Sequence, residues 1–321
     1  MRVAVLSGGR SSEHDVSLRS GDSVARGLSD AGHEALPVTI ARDGGWAFRG
    51  VPVELVPAAG LVGADVAFPA LHGPFGEDGS VQGVLEWLDV PYVGSDVLAS
   101  ATCMDKLTLK RIFAQRGLPQ VDFAAVGEDG WRRRCEAMGP PLWVKPSRLG
   151  SSVGISRVAA LAELDAAVEL ALRHDPRVIV EASARGREVE CSLLGNEEVE
   201  ASLPGEVIAH GEWYDYETKY SDGGMELVVP APLDDAQASR LRELAVEAFR
   251  VGGCSGLARC DFFVEPDGSV LVNEINTMPG FTETSVYAKL WEASGLPYPD
   301  LCDRLVQLAL ERHAGSRSHE F

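Results

Sequence analysis

No two of the six cysteines stand in a C-x-x-C pair, and the seven histidines show no metal-ligand spacing such as H-E-x-x-H. The phosphate loop G-x-x-x-x-G-K-[ST] and the dinucleotide fingerprint G-x-G-x-x-G are also missing, which argues against P-loop and dinucleotide-binding folds. No apolar run approaches the roughly 18–20 residues needed to cross a bilayer, so no membrane partner is expected. Positive charge is scarce: 29 Lys and Arg stand against 48 Asp and Glu, a net charge of −19. That excludes the cationic surfaces of non-specific nucleic-acid binding but leaves a local anion site open. The start Val3-Ala4-Val5-Leu6 is too short for the apolar core of an export signal and runs straight into Ser7-Gly8-Gly9. Reduced thiols in a cytoplasm are therefore expected. What is present is ordinary for a soluble globular chain: 45% hydrophobic and 24% charged residues over 321 positions, enough for two or three domains.

Strand and helix signals alternate over residues 1–98: strands at Val3–Leu6, His33–Ile40 and Ala64–Ala70, helices at Ser17–Ala31 and Val81–Leu88. That order predicts a parallel α/β sheet with its ligand loops, Ser7–Ser12 and Leu71–Gly79, at the carboxyl edge. Residues 99–185 change character. A helix is predicted over Met104–Gln115, strands over Leu142–Pro146, Ile155–Val158 and Arg177–Glu181, and a helix over Leu161–Arg173. From 186 to 313 strands come first and helices last (Asp234–Val251, Pro299–His313), and 314–321 reads as a frayed tail.

The most informative segment is Leu257–Gly280, LARCDFFVEPDGSVLVNEINTMPG. It reads as strand Leu257–Val264, turn Pro266–Ser269 and strand Val270–Asn276. Side chains alternate, so Asp261 shares a face with Arg259 and Phe263, and Glu274 and Asn276 are expected on the face of Val272. Pairing Glu265 with Val270 sets Asp261 opposite Glu274 and Arg259 opposite Asn276. Two carboxylates, an amide oxygen and a guanidinium then share a patch. Acids this close need a positive group between them, and oxygen-only ligands suit Mg²⁺ or Mn²⁺. A hairpin with a solvated acidic face fits the same residues.

Other segments are ambiguous singly. The loop Gly150–Gly154 after Lys145 suits either a phosphate cradle or a plain turn. Lys145 in an apolar strand needs an anionic partner. Glu181 and Glu188 suit edge charges, or an adenine amino group and a ribose hydroxyl. Gly211–Tyr220, GEWYDYETKY, suits a water-excluding lid carrying Lys219 or a packed surface loop. Glu13 and Asp15 suit a substrate ammonium or a helix N-terminus.

Seven blocks together resemble the D-alanine–D-alanine ligases of the ATP-grasp superfamily. They are SGGRSSEHDVSLRSG (7–21), LHGPFGEDG (71–79), MDK (104–106), VKPSRLGSSVGIS (144–156), YDYETKY (214–220), ARCDFF (258–263) and NEINTMPGFT (273–282), in family order. The resemblance implies an ATP-grasp fold with a Rossmann-like domain at 1–98, a central domain at 99–185 and a catalytic domain at 186–313. It implies ATP, two Mg²⁺ (or Mn²⁺) ions, D-alanine as substrate, and a homodimer. It implies nucleotide contacts at Lys106, Lys145, Ser151, Ser152, Glu181, Ala182, Ala184, Glu188, Lys219, Phe263, Asn273 and Glu274, and metal ligands at Asp261, Glu274 and Asn276. Glu13 would hold the first D-alanine's ammonium, with His72 beside it and Ser151 and Tyr220 linking it to the lid. Lys219 would reach the γ-phosphate. Arg259 and the Gly280 amide would form the oxyanion site, and Ser285 and Val286 the second subsite.

Three positions depart from the family pattern: Val286 is smaller than usual, Ala288 replaces a common proline, and Ala182-Ser183-Ala184 makes a small hinge where adenine should stack. They bear on substrate breadth and ATP affinity rather than on reaction class. The rivals are a D-alanine–D-lactate or other D-amino-acid ligase, which the Lys219-Tyr220 pair disfavours, and a dead ATP-binding module, which should have lost a metal ligand or Arg259.

Overall fold

The computed structural model describes residues 1–150, 152–209 and 225–318. Three sheets follow one another along the chain. In the first, β1 (Arg2–Gly8) runs parallel to β2 (Glu34–Ile40) and to β5 (Val66–Pro69), with α1 (His14–Asp30) as the crossover. β1 is buried at every residue after Arg2, as a strand paired on both sides and covered by helices must be. The short β3 (Trp46–Phe48) and β4 (Val51–Pro52) add antiparallel strands that the sequence reading lacked, so the sheet is parallel only at its centre. α1 begins at His14, three residues before its predicted start at Ser17, which places Glu13 at its N-terminal boundary. A side chain at Gly27 would meet the Tyr298 ring at 2.7 Å, so glycine lets α1 lie close against the last helix.

α2 (Ser80–Leu88) and α3 (Val97–Met104) lead to α4 (Lys106–Arg116). A single helix over Met104–Gln115 was expected. The chain instead breaks at Asp105, which is extended (φ −89°, ψ 97°) and caps α4 by accepting from the Thr108 amide at 3.0 Å. The break puts Lys106 on the first turn of α4. The second sheet is antiparallel, in the order β6 (Phe123–Ala125), β9 (Val178–Ala182), β7 (Leu142–Pro146), β8 (Ser156–Val158), backed by α5 (Trp131–Met138) and α6 (Leu164–Leu172).

The third sheet is antiparallel too. Its order is β13 (Met225–Val228), β12 (Gly205–Ala209), β10 (Arg187–Gly195), β14 (Gly256–Val264), β15 (Val270–Asn276), with β11 (Val199–Ala201) on β10. α7 (Asp235–Val251) covers it with Leu241, Leu244, Ala245, Ala248 and Phe249, and Asp234 caps that helix in a capping box with Gln237. α8 (Val286–Ala293) and α9 (Tyr298–Arg317) pack back against the first sheet. Phe281 joins the two, with its ring centroid 5.2 Å from Phe68, 5.6 Å from Tyr287 and 5.6 Å from Tyr298. The tail is not frayed from Ala314: α9 runs to Arg317, whose guanidinium donates to Asp89 at 2.5 Å.

Candidate active site

The hairpin of β14 and β15 is the floor of the site. Arg259, Asp261 and Phe263 share its open face, while Cys260, Phe262 and Val264 are buried. Asp261 lies opposite Glu274 and Arg259 opposite Asn276, as the sequence predicts, but by another route. Val264, not Glu265, pairs with Val270, and Phe262 pairs with Val272; the register then shifts, leaving Asn273 as an extra residue. Val272 consequently sits in the core with Phe262, not on the face of Glu274 and Asn276. The cause is apolar. Val270, Val272 and Ile275 all face the core, a spacing that unbroken alternation cannot supply, and the bulge turns Glu274 and Asn276 outward.

The acids of this face are neutralised by the chain's own cations. Arg259 forks onto Asp261, Nε to Oδ1 at 2.7 Å and Nη2 to Oδ2 at 2.8 Å. Asn276 Nδ2 donates to Asp261 Oδ2 at 3.0 Å. A third carboxylate, Glu190 on β10, pairs in register with Asp261 and reaches Arg259 Nε at 2.9 Å. Glu274 meets Lys106 Nζ at 3.2 Å, and the same ammonium donates to the Leu149 carbonyl at 2.9 Å. The positive group expected between Asp261 and Glu274 is thus two side chains, one on each acid. Two carboxylates and an amide on one face form an all-oxygen donor set that fits a hard divalent cation, provided these cations give way.

Beside the floor lies a nest of lysines. Glu181, 3% exposed at its side chain, meets Lys145 Nζ at 2.6 Å and Lys110 Nζ at 3.4 Å. Burial alone would raise its pKa, but the ammonium groups of Lys110 and Lys145 hold it down at about 2. Burial likewise opposes the charge on Lys145, yet Glu181 raises its pKa overall; for Lys110 burial wins and the pKa falls. The anionic partner required of Lys145 is Glu181. Ala182 and Ala184 follow it, half-buried, and Trp143 Nε1 donates to Ser183 Oγ at 3.1 Å between them. Glu188 is exposed near Lys145 and pairs with Phe263 across the strands. Ser152 takes a left-handed φ of 61° in the glycine loop. Ser151, Lys219, Tyr220 and the stretch Gly211–Tyr220 lie outside the described residues.

The opposite wall comes from the first sheet, where the two ligand loops meet as expected. Ser11 Oγ donates to the His72 carbonyl at 2.7 Å. Glu13 is buried, and a side chain at Gly73 would strike its Oε2 at 2.4 Å; Gly73, at φ +70°, is glycine on both counts. His72 Nδ1 faces the Met278 carbonyl at 3.1 Å and so carries the proton, while Nε2 accepts from Ser20 Oγ at 2.8 Å. Burial lowers its pKa despite Glu13, so the ring is held neutral. Glu77 accepts from the Gly73 amide at 2.7 Å and the Met278 amide at 3.2 Å, tying this wall to the loop after β15. Burial and the Glu13 charge push its pKa up to about 8.

One cavity of about 700 Å³ joins these walls. Glu13, His72, Lys106, Arg259, Glu274, Asn276, Gly280, Ser285 and Val286 all line it. Ser285 precedes α8 and accepts from the Thr282 amide at 3.0 Å. Asp261, whose oxygens are taken by Arg259 and Asn276, is not among the lining, nor are the nest residues Lys145 and Glu181, nor Ser152, Ala182, Ala184, Glu188, Phe263 and Asn273. Sequence reasoning missed Glu77, Glu190 and Lys110. Glu77 stood in the quoted GEDG, Lys110 one turn beyond Lys106, and Glu190 two residues beyond Glu188 on the same strand, each a signal within reach.

The family model described as D-ala D-ala ligase C-terminus matches residues 112–307, and that described as D-ala D-ala ligase N-terminus matches 2–59 and 54–95. The chain belongs to the D-alanine–D-alanine ligase family. It is 47% identical to the D-alanine–D-alanine ligase of Solibacter usitatus, covering 98% of this chain and 96% of that one. It is 43% identical to that of Geobacillus kaustophilus, covering 97% and 95%. Its fold is similar to the D-alanine–D-alanine ligase structure from Coxiella burnetii, at a TM-score of 0.90 and 36% identity over 99% of this chain and 96% of that one. It is also similar to the VanG D-Ala:D-Ser ligase from Enterococcus faecalis, at 0.87 and 33% over 96% and 99%. Family membership makes the three-sheet arrangement an ATP-grasp fold.

Proposed function

We propose that this chain joins two D-alanines at the expense of ATP, for peptidoglycan precursor synthesis, through a D-alanyl phosphate. The observation that carries this reading is the single cavity uniting the Glu13–His72 wall with the acid, guanidinium and amide floor. The first D-alanine's carboxylate oxygen attacks the γ-phosphorus and ADP leaves. The second D-alanine's amine attacks the acyl carbon, losing a proton, and phosphate leaves.

Both steps accumulate negative charge, so fixed donors and cations do most of the catalysis. Glu13 binds the first ammonium, with neutral His72 as a hydrogen-bonding wall beside it. Arg259 and the Gly280 amide face the developing oxyanion, and Ser285 at the N-terminus of α8 takes the second carboxylate, with Val286 beside it. Lys106, Lys145, Glu181, Glu188 and the glycine loop form the nucleotide side. Ala182, Ala184, Phe263 and Asn273 complete it, Lys219 approaches the γ-phosphate, and Ser151 with Tyr220 closes the lid. Asp261, Glu274 and Asn276 are the residues that would hold two Mg²⁺ or Mn²⁺ ions. Bound there, such ions neutralise phosphate charge and act as Lewis acids.

The oxygen-only donor set supports the metal reading, and Val286 with the D-Ala:D-Ser relative supports a second substrate that includes D-serine. We further infer a cytoplasmic homodimer divided near residues 98 and 185, on the family resemblance. No helix among the described residues is long and apolar enough to cross a membrane. Phosphate release against a panel of D-amino and D-hydroxy acids, with product masses, tests the reading. D-alanyl-D-alanine should dominate, and dominant D-alanyl-D-lactate at neutral pH would overturn it.

A further inference from the structure

Arg259 has a single Nε–H and two carboxylates around it. The hydrogen goes to Asp261 Oδ1 at 2.7 Å, while Glu190 Oε2 sits 2.9 Å from the same nitrogen as a charge contact. Glu190 is buried, lines the same cavity and stands directly across β10 and β14 from Asp261. A third carboxylate beside two others costs stability unless a cation compensates it, so its presence calls for a reason.

The fork of Arg259 on Asp261 supplies one. It covers both oxygens of an acid that, on the function proposed above, must also serve a divalent cation. A cation drawing on Asp261 competes with that fork and takes from the guanidinium its two bonds to this acid. Glu190 is already within reach, on a neighbouring strand, with no backbone movement needed.

We propose that Glu190 is a positioning residue: it takes over the Arg259 Nε–H when Asp261 turns to a divalent cation, and so keeps the guanidinium aimed into the cavity. The same handover eases cation binding, because Asp261 is released to a ready substitute. This inference rests on the cation reading of Asp261, Glu274 and Asn276.

The test uses the full chain, wild type and Glu190→Gln, each also in an Arg259→Ala background. Mn²⁺ binding is followed by electron paramagnetic resonance with a non-hydrolysable ATP analogue, alongside steady-state phosphate release and melting temperature. Glu190→Gln is expected to weaken Mn²⁺ binding about 10–100-fold, the usual cost of losing a supporting partner. It should lower kcat, leave the KM for ATP near wild type and leave the melting temperature unchanged. In the Arg259→Ala background the further substitution should change Mn²⁺ binding little, because the effect runs through Arg259. An equal weakening in that background overturns the proposal, since Glu190 would then act by its charge alone. Wild-type Mn²⁺ affinity and kcat in Glu190→Gln, or a loss of kcat that merely follows the melting temperature, overturns it as well. A wild type that binds no Mn²⁺ and turns over without divalent cation overturns the cation reading, and this proposal with it.

Discussion

The nest around Glu181 and the open face of the β14–β15 hairpin use the same chemistry with opposite balance. In the nest, two ammonium groups, Lys110 and Lys145, enclose one carboxylate. On the hairpin face and the adjoining β10, three carboxylates (Asp261 and Glu274 on the hairpin, Glu190 on β10) share two cations, Arg259 and Lys106. The nest is left with an excess of positive charge, which suits the anionic nucleotide. The hairpin is left with an excess of negative charge, which suits divalent cations. On the function proposed above, a chain of net charge −19 would take a polyanion by setting a small cationic enclosure beside a small anionic face.

The comparison breaks first if the hairpin needs no cation. Exhaustive chelation should abolish phosphate release, and Asp261→Asn and Glu274→Gln should each come close to doing so; full turnover after chelation would sink the assignment. Next, Arg259→Lys keeps the charge but loses the fork, and steady-state turnover should fall about 10²–10³-fold. Near-wild-type turnover would remove Arg259 from the oxyanion site.

The nest should answer in stability. Glu181→Gln leaves the buried Lys110 and the half-buried Lys145 facing a neutral amide, and denaturant unfolding should register a loss of about 3 kcal/mol. Lys110→Met should cost less, because burial already disfavours that lysine's charge.

Two carboxylates, Glu181 buried and Glu77 half-buried, then give opposite pH dependence. Glu181, held at about 2 from an ordinary 4.5, contributes stability that is present above pH 4.5 and lost as pH falls toward 2. Glu77, raised from 4.5 to about 8, does the reverse. The unfolded chain releases that proton first, so stability declines as pH rises from 4.5 to 8. Glu77→Gln should flatten that decline in thermal melts across the window, and an unchanged slope would show that Glu77 is ionised in the fold. The smallest effect concerns the second substrate. Val286→Met should lower the D-serine to D-alanine product ratio by about tenfold, read by mass in a competition.

The hairpin shows how much was legible and where legibility stopped. The strand–turn–strand and its acids follow from residue types and alternation, but the apposition of Asp261 with Glu274 and of Arg259 with Asn276 rests in the sequence on a Glu265–Val270 pairing that the fold does not use. The fold reaches it through Val264–Val270 and the bulge at Asn273, which depends on which side chains the core of α7 and the strands admits. Lys145, in an apolar strand, calls for an anionic partner, and the fold supplies Glu181, which the sequence by itself leaves as an edge charge or a nucleotide contact. Lys110 went unread because a lysine on a helix is ordinarily solvated, and only the packing of α4 against the second sheet buries it. Ser7–Ser12 and Leu71–Gly79 lie at one sheet edge as the sequence predicts, yet one of the two amide hydrogen bonds that clamp Glu77 comes from Met278, 201 residues away.

By itself the sequence determined the chemical types, the family, the parallel centre of the first sheet and the acidic hairpin. Those follow from local periodicity and from blocks of contiguous residues. Only the tertiary structure decided that Glu190 stands against Arg259, that Lys110 shares Glu181 and that burial beside Glu13 raises the pKa of Glu77. The physical reason is that charge, burial and hydrogen bonding are properties of neighbours in space. These neighbours come from strands and helices that the chain brings together only when it packs its cores.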